Sequence, residues 1–96
     1  PYLLTAACFE HRPVVGTSPE RMAAFEAELL DTVGRAVAWV VLPNHYHVLV
    51  ETPDVRALLA AVGRLHGRTA HAWNGEDAAR GRQVWHGAAE TAMKSE

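Results

Sequence analysis

Apolar and polar positions alternate along this chain in a way that divides it into six elements. Tyr2 to Phe9 is a short run with little charge, closed by Glu10-His11-Arg12-Pro13, and its length and flanking breakers predict a buried strand. After a connector at Val14-Val15-Gly16-Thr17, Ser18-Pro19-Glu20 supplies a hydroxyl cap, a proline that loses no needed N–H, and an acid at the positive helix end. Met22, Phe25, Leu29 and Val33 then recur at helical spacing, and Gly34 is placed to end the helix. Arg35 to Leu42 reads as a central strand, apolar on both faces. Pro43-Asn44 turns the chain, proline because it cannot extend a ladder and asparagine because it tolerates left-handed geometry. His45 to Thr52 returns as the hairpin partner, and so apolar a hairpin is expected in mid-sheet. Pro53-Asp54 opens a second helix whose buried stripe is Val55, Leu58, Leu59, Val62 and Leu65, with Trp73-Asn74-Gly75 as its break. Glu76 to Gln83 is a polar loop, Val84-Trp85-His86 a short final strand, and Thr91 onward the beginning of a helix.

Strand, helix, strand, strand, helix, strand is the order of an α+β, ferredoxin-like split βαβ unit: an antiparallel sheet with two helices on one face. That fold licenses no function by itself. Gly63 and Gly67, one turn apart in the second helix, each cost about 1 kcal/mol relative to alanine, which points to a close approach there. Arg64, Arg68 and His71 share another face, and either a solvated surface or a phosphate-binding stripe accounts for them.

The pattern also places chemistry. Strand side chains alternate with a period of two, so His45 and His47 project to one side of the second hairpin strand and Tyr46 to the other. Two readings stand on spacing alone: ordinary sheet-face histidines, or a clip for a divalent metal that still needs a third ligand and an open position. Glu51 lies on the same strand face but farther along, and His66, His71 and His86 cannot be placed from sequence. Tyr46 and Tyr2 read as structural, and Cys8 as a small buried hydrophobe. Trp39, Trp73 and Trp85 read as core residues, with stacking on nucleobases a second option for Trp73 and Trp85, which flank an Arg-rich loop.

Composition narrows the picture only a little. At 96 residues, 49% hydrophobic and 21% charged, the chain fits one small globular domain. One cysteine excludes an internal disulfide and a four-thiolate zinc site, and no apolar run approaches the ~18 residues of a membrane span. The cytoplasm is the default compartment. A net charge of −2 is unusual for a nucleic-acid binder, but it is unevenly distributed. Three Lys+Arg face six Asp+Glu through Glu51, and six face five from Thr52 onward; eight of the nine cations are arginine, which suits bidentate phosphate contacts. The chain opens directly on an apolar run and closes on Ala-Met-Lys-Ser-Glu, so further chain is expected around these residues.

Trp39-Val-Val-Leu-Pro-Asn-His-Tyr-His-Val-Leu-Val-Glu51 resembles the signature strand of the REP-associated tyrosine transposases of bacteria, within the single-tyrosine HUH transposase family. Tyr2 to Arg12 resembles that family's opening strand, and Leu58 to Trp73, with Arg64-Leu-His-Gly-Arg-Thr69, the helix after the motif. Gly81-Arg-Gln-Val-Trp85 resembles the following strand, and Ala92-Met-Lys-Ser-Glu96 the lead-in to the family's catalytic helix, so the likeness runs over essentially the whole chain. It implies cleavage and rejoining of single-stranded or hairpin DNA through a 5′-phosphotyrosine, in a nucleoid-associated cytoplasmic setting. By the same resemblance His45 and His47 are ligands of one Mg²⁺ or Mn²⁺, Arg64, Arg68 and Arg82 are phosphate contacts, and a homodimer is expected. In the family the nucleophilic tyrosine, and usually the third ligand, sit on a helix after the stretch matched by Ala92 to Glu96. Residues 1–96 are therefore expected to be a single transposase-like domain lacking that helix. The alternatives are a non-catalytic single-stranded nucleic-acid binding module derived from such an enzyme and, without family input, a small histidine-metal hydrolase.

Overall fold

In a computed structural model, residues 1–93 are described. β1 (Tyr2–Ala7), α1 (Pro19–Val33), β2 (Ala36–Leu42), β3 (His45–Val50), α2 (Val55–Glu76) and β4 (Glu90–Met93) follow one another in the expected order. The sheet is antiparallel throughout, with strand order β2-β3-β1-β4, and both helices pack on one of its faces as in ferredoxin-like folds. No helix among the described residues is long and apolar enough to cross a membrane.

The helices begin as their sequences dictate. The Ser18 hydroxyl accepts from Arg21 N–H with Pro19 in the first turn, and the Asp54 carboxylate accepts from Ala57 N–H. Gly34, at φ 76°, takes the left-handed conformation that ends α1. α1 turns Phe25, Leu29 and Val33 to the sheet, and α2 turns Leu58, Val62 and Leu65. They meet Leu4 and Ala6 of β1 and Tyr46, Val48 and Val50 of β3, all buried. Phe25 centres an aromatic cluster, its ring 5.6 Å from Tyr46, 5.6 Å from Trp73 and 5.4 Å from Trp85. Trp73 and Trp85 are thus core residues and present no face to a nucleobase.

Four expectations change. β2 lies at the sheet edge, not its centre; Val37, Trp39 and Val40 are 56%, 46% and 43% exposed, so Trp39 is not a core residue. An apolar run read as buried on both faces is here paired on one side only, and the central places go to β3 and β1. α2 does not stop at Trp73 but continues to Glu76. Burial of Trp73 against Phe25 and Trp85, together with two hydrogen bonds between the Asn74 amide and Arg82, holds the last turn despite Gly75. Val84–His86 is not a strand: Trp85 makes a single bridge to Cys8, and the fourth strand is Glu90–Met93, where a helix was expected from Thr91. The continuation of that expected helix beyond residue 93 lies outside the described residues. Finally, Gly63 and Gly67 are exposed, with nothing within 4 Å of where a Cβ would stand, so no close approach explains them.

Two polar devices sit within this packing. Arg21, nearly buried at the start of α1, donates to both carboxylate oxygens of Asp77 at 2.9 and 2.7 Å and lies over the Trp73 ring, joining α1 to the end of α2. The hydrogen bond from Arg21 holds the Asp77 carboxyl down at about 2. Deeper, Tyr46 Oη and His66 Nε2 lie 2.8 Å apart, and the His66 ring stacks on Trp85 at 4.1 Å. Burial pushes the Tyr46 hydroxyl well above its ordinary value and pulls His66 down to about 4.

The His66 shift makes stability depend on pH. The unfolded chain takes up the imidazole proton near the ordinary value of 6.5, the folded chain only near 4. Stability from this group is complete above pH 6.5 and is lost as pH falls toward 4, by on the order of 3 kcal/mol. Urea unfolding at successive pH values should show that loss, and His66→Gln should flatten it. The loss due to Asp77 belongs below about pH 4, where its carboxylate takes up a proton.

Candidate metal centre on the open sheet face

Strand alternation decides what the second sheet face carries. With Tyr46, Val48 and Val50 under the helices, His45, His47 and Leu49 of β3 face the other way. Register places Val40 of β2 and Thr5 of β1 on either side of His47, with Glu90 of β4 beyond Thr5, and Leu42 and Ala7 on either side of His45. No described helix covers this face. Leu3, Ala38, Trp39, Val40, His47 and Leu49 line a shallow apolar groove of about 460 Å³ along it.

His45 and His47 are half-buried, with ring centroids 5.1 Å apart and planes nearly perpendicular. Each has its Nδ1 engaged: His45 Nδ1 is 2.6 Å from the Asn44 side-chain oxygen, and His47 Nδ1 is 3.1 Å from the Thr5 hydroxyl. No described residue hydrogen-bonds either Nε2. Two imidazole nitrogens on adjacent outward positions of a central strand, each ring hydrogen-bonded through Nδ1, match part of the donor set that a divalent cation takes.

The other sequence candidates do not join this pair. Among the described residues no third His, Cys, Asp or Glu completes a metal-binding group. Glu51 lies past the end of β3, 3.5 Å from Arg35, and His66 is buried on the opposite face. His71 accepts from Arg80 through its backbone oxygen on the outer side of α2, and His86 lies near Phe9 at the end of β1. Tyr46, fully buried across the sheet, and Tyr2, packed against the same core, carry no hydroxyl to the histidines. Burial raises the Cys8 thiol and leaves it protonated.

Arg64 and Arg68 are exposed on α2, with the sheet between that helix and the histidine face. Arg82 is half-buried and occupied, its Nε donating to Asn74 and an Nη to Asp77 at 3.0 Å. The sequence gives no sign of a role for Thr5 at this site, and marks Glu10-His11 only as the close of the first strand. Thr5 depends on strand register, which no local pattern reveals. Glu10 and His11 both have positive φ, 55° and 54°, although neither is glycine.

No protein-family model matches the chain. No curated protein matches it either. Among solved structures, the chain superposes on a crystal structure described as that of a "putative transposase" from Deinococcus radiodurans R1, with a TM-score of 0.65 and 23% sequence identity. The match covers 99% of this chain and 78% of that one. At that identity the likeness establishes a shared fold.

The hairpin that presents the pair is pinned from outside the sheet. Gly16 N–H donates to Pro43 O at 3.0 Å, and a Cβ on Gly16 would run into the Pro43 Cβ. Gly16→Ala must therefore displace the turn next to His45. It should cost about 1–3 kcal/mol in urea unfolding, and it should shift the His45 ring resonances more than those of buried His66.

Proposed function

We propose that this domain belongs to a single-strand DNA transposase of the HUH tyrosine type, and that His45 and His47 hold the metal at its cleavage site. The observation that carries the reading is the outward-facing pair itself: two imidazoles on a central strand of a transposase-like fold, both with Nδ1 engaged and no partner at Nε2 among the described residues. A Mg²⁺ or Mn²⁺ ion held there would supply Lewis-acid polarisation of a scissile phosphate. The chain's contribution is positional, since the paired strands β1 and β3 fix the separation and direction of both rings. The apolar groove beside His47 is a surface on which a further helix, bearing a tyrosine and a third ligand, would exclude water. In strand cleavage that tyrosine oxygen forms a bond to phosphorus as the bond from phosphorus to the DNA 3′ oxygen breaks, and the reverse exchange rejoins the strand.

The exposed guanidinium groups of Arg64 and Arg68 serve as phosphate contacts away from the cleavage point in this reading, and Arg82 only if it leaves Asp77. The outer edge of β2, which pairs with no described strand and leaves Trp39 and Val40 exposed, is where a second copy would extend the sheet into a homodimer. A second reading, a non-catalytic module that binds single-stranded nucleic acid, is favoured by one fact: no tyrosine among the described residues reaches the histidine face.

Two measurements test this. Calorimetric titration with Mn²⁺ should give a site that His45→Ala and His47→Ala each weaken at least tenfold; affinity unchanged in both variants removes the metal centre. Incubation with a labelled DNA hairpin and Mn²⁺ then separates the readings. A protein–DNA adduct that survives denaturation supports the transposase, and saturable binding without an adduct supports the module.

A further inference from the structure

Asn44 is the second residue of the β2–β3 turn, where a left-handed backbone would explain an asparagine. The backbone there does not need one: the described non-glycine residues with positive φ are Glu10, His11 and Ala78. Its side chain offers a different explanation. The amide nitrogen donates to the His11 carbonyl at 3.3 Å, and the amide oxygen lies 2.6 Å from His45 Nδ1. Rotating the amide by half a turn would set its oxygen against the His11 carbonyl oxygen, two acceptors face to face, so the His11 carbonyl decides which end meets the imidazole. An amide oxygen can only accept. His45 Nδ1 must then carry the proton, and the lone pair of the neutral ring is confined to Nε2.

The local backbone serves this arrangement. Two consecutive non-glycine residues in the left-handed region, Glu10 and His11, are a costly conformation that persists only where the surroundings hold it. Here Cys8 N–H donates to the Asn44 carbonyl at 2.9 Å and His11 N–H to the Cys8 carbonyl at 3.0 Å, fixing the segment against the turn. Thr5 behaves differently toward His47, because a hydroxyl accepts from Nδ1–H or donates to bare Nδ1 equally well. The two histidines are therefore not equivalent: one is committed in advance and the other adapts.

We infer that Asn44, oriented by the His11 carbonyl, is a positioning residue that locks His45 in the Nδ1–H tautomer and so presets its Nε2 as a cation ligand. The inference rests on the metal-centre reading for the ligand role, but not for the tautomer, which exists without metal.

The experiment uses the full chain, metal-free, at pH 8, with ¹⁵N resonances of the imidazoles recorded through their ring protons. His45 should show a protonated Nδ1 and an unprotonated Nε2. Asn44→Ala should move His45 toward the Nε2–H form that free histidine prefers and weaken Mn²⁺ binding roughly 10- to 100-fold. Asn44→Asp keeps an acceptor against Nδ1 while losing the donor to His11, so it should restore both the tautomer and the affinity. A role as a mere structural clamp would leave Asn44→Asp as impaired as Asn44→Ala. An unchanged His45 tautomer in Asn44→Ala overturns the inference, and so does a changed tautomer with unaltered Mn²⁺ affinity. Failure of the metal-centre reading is recognised separately, by Mn²⁺ affinity that survives His45→Ala and His47→Ala.

Discussion

One face of β3 must be buried, and everything about the candidate site follows from that constraint. Tyr46, Val48 and Val50 are fully covered by α1 and α2, and alternation along the strand gives His45, His47 and Leu49 no other direction than the opposite face. A slip of one residue in register would exchange the two sets, placing two imidazoles in an aromatic core and Tyr46 in water. The energetic preference against that exchange holds the histidines outward as firmly as it holds the tyrosine inward.

The covered face supports the site from below. Phe25 packs tilted or edge-on against Tyr46, Trp73 and Trp85, Trp85 meets Tyr46 and Trp73 in turn, and His66 lies flat against Trp85 with its nitrogen meeting the Tyr46 hydroxyl. This satisfies the one hydroxyl that β3 sends into the core, at the cost of a histidine that must remain neutral. The Arg21–Asp77 bridge closes the far end, where α1 begins and α2 ends. Together these contacts leave the other face free of structural duty. It carries an apolar groove and an adjacent histidine pair, beside an edge strand whose outer side pairs with no described strand.

The same separation bears on where nucleic acid would lie. The arginines expected by resemblance to contact phosphates are on the layer beyond the sheet, or, in the case of Arg82, tied to Asp77 and Asn74. The histidine face has little positive charge among the residues that line it, so a cation at the pair would be the dominant local charge. That makes the preparation of His45 by Asn44 consequential, because with few donors the orientation of each one matters more.

The sequence by itself determined the order of the first five elements, the caps at Ser18 and Asp54, the terminating Gly34 and the common direction of His45 and His47. All of these depend on neighbours within a few residues: a hydroxyl three positions from an N–H, a glycine after the last apolar position, a period of two along a strand. Tertiary structure alone decided that β2 is an edge, that α2 outlasts Asn74-Gly75, and that the fourth strand is Glu90–Met93. Each of these turns on which segment lies alongside, and apolar content records a tendency to be buried without saying by what. Asn44 shows the boundary most clearly. Its place in a turn was legible, but its task depends on the His11 carbonyl, 33 residues away along the chain, brought within 3.3 Å by the pairing of β1 with β3.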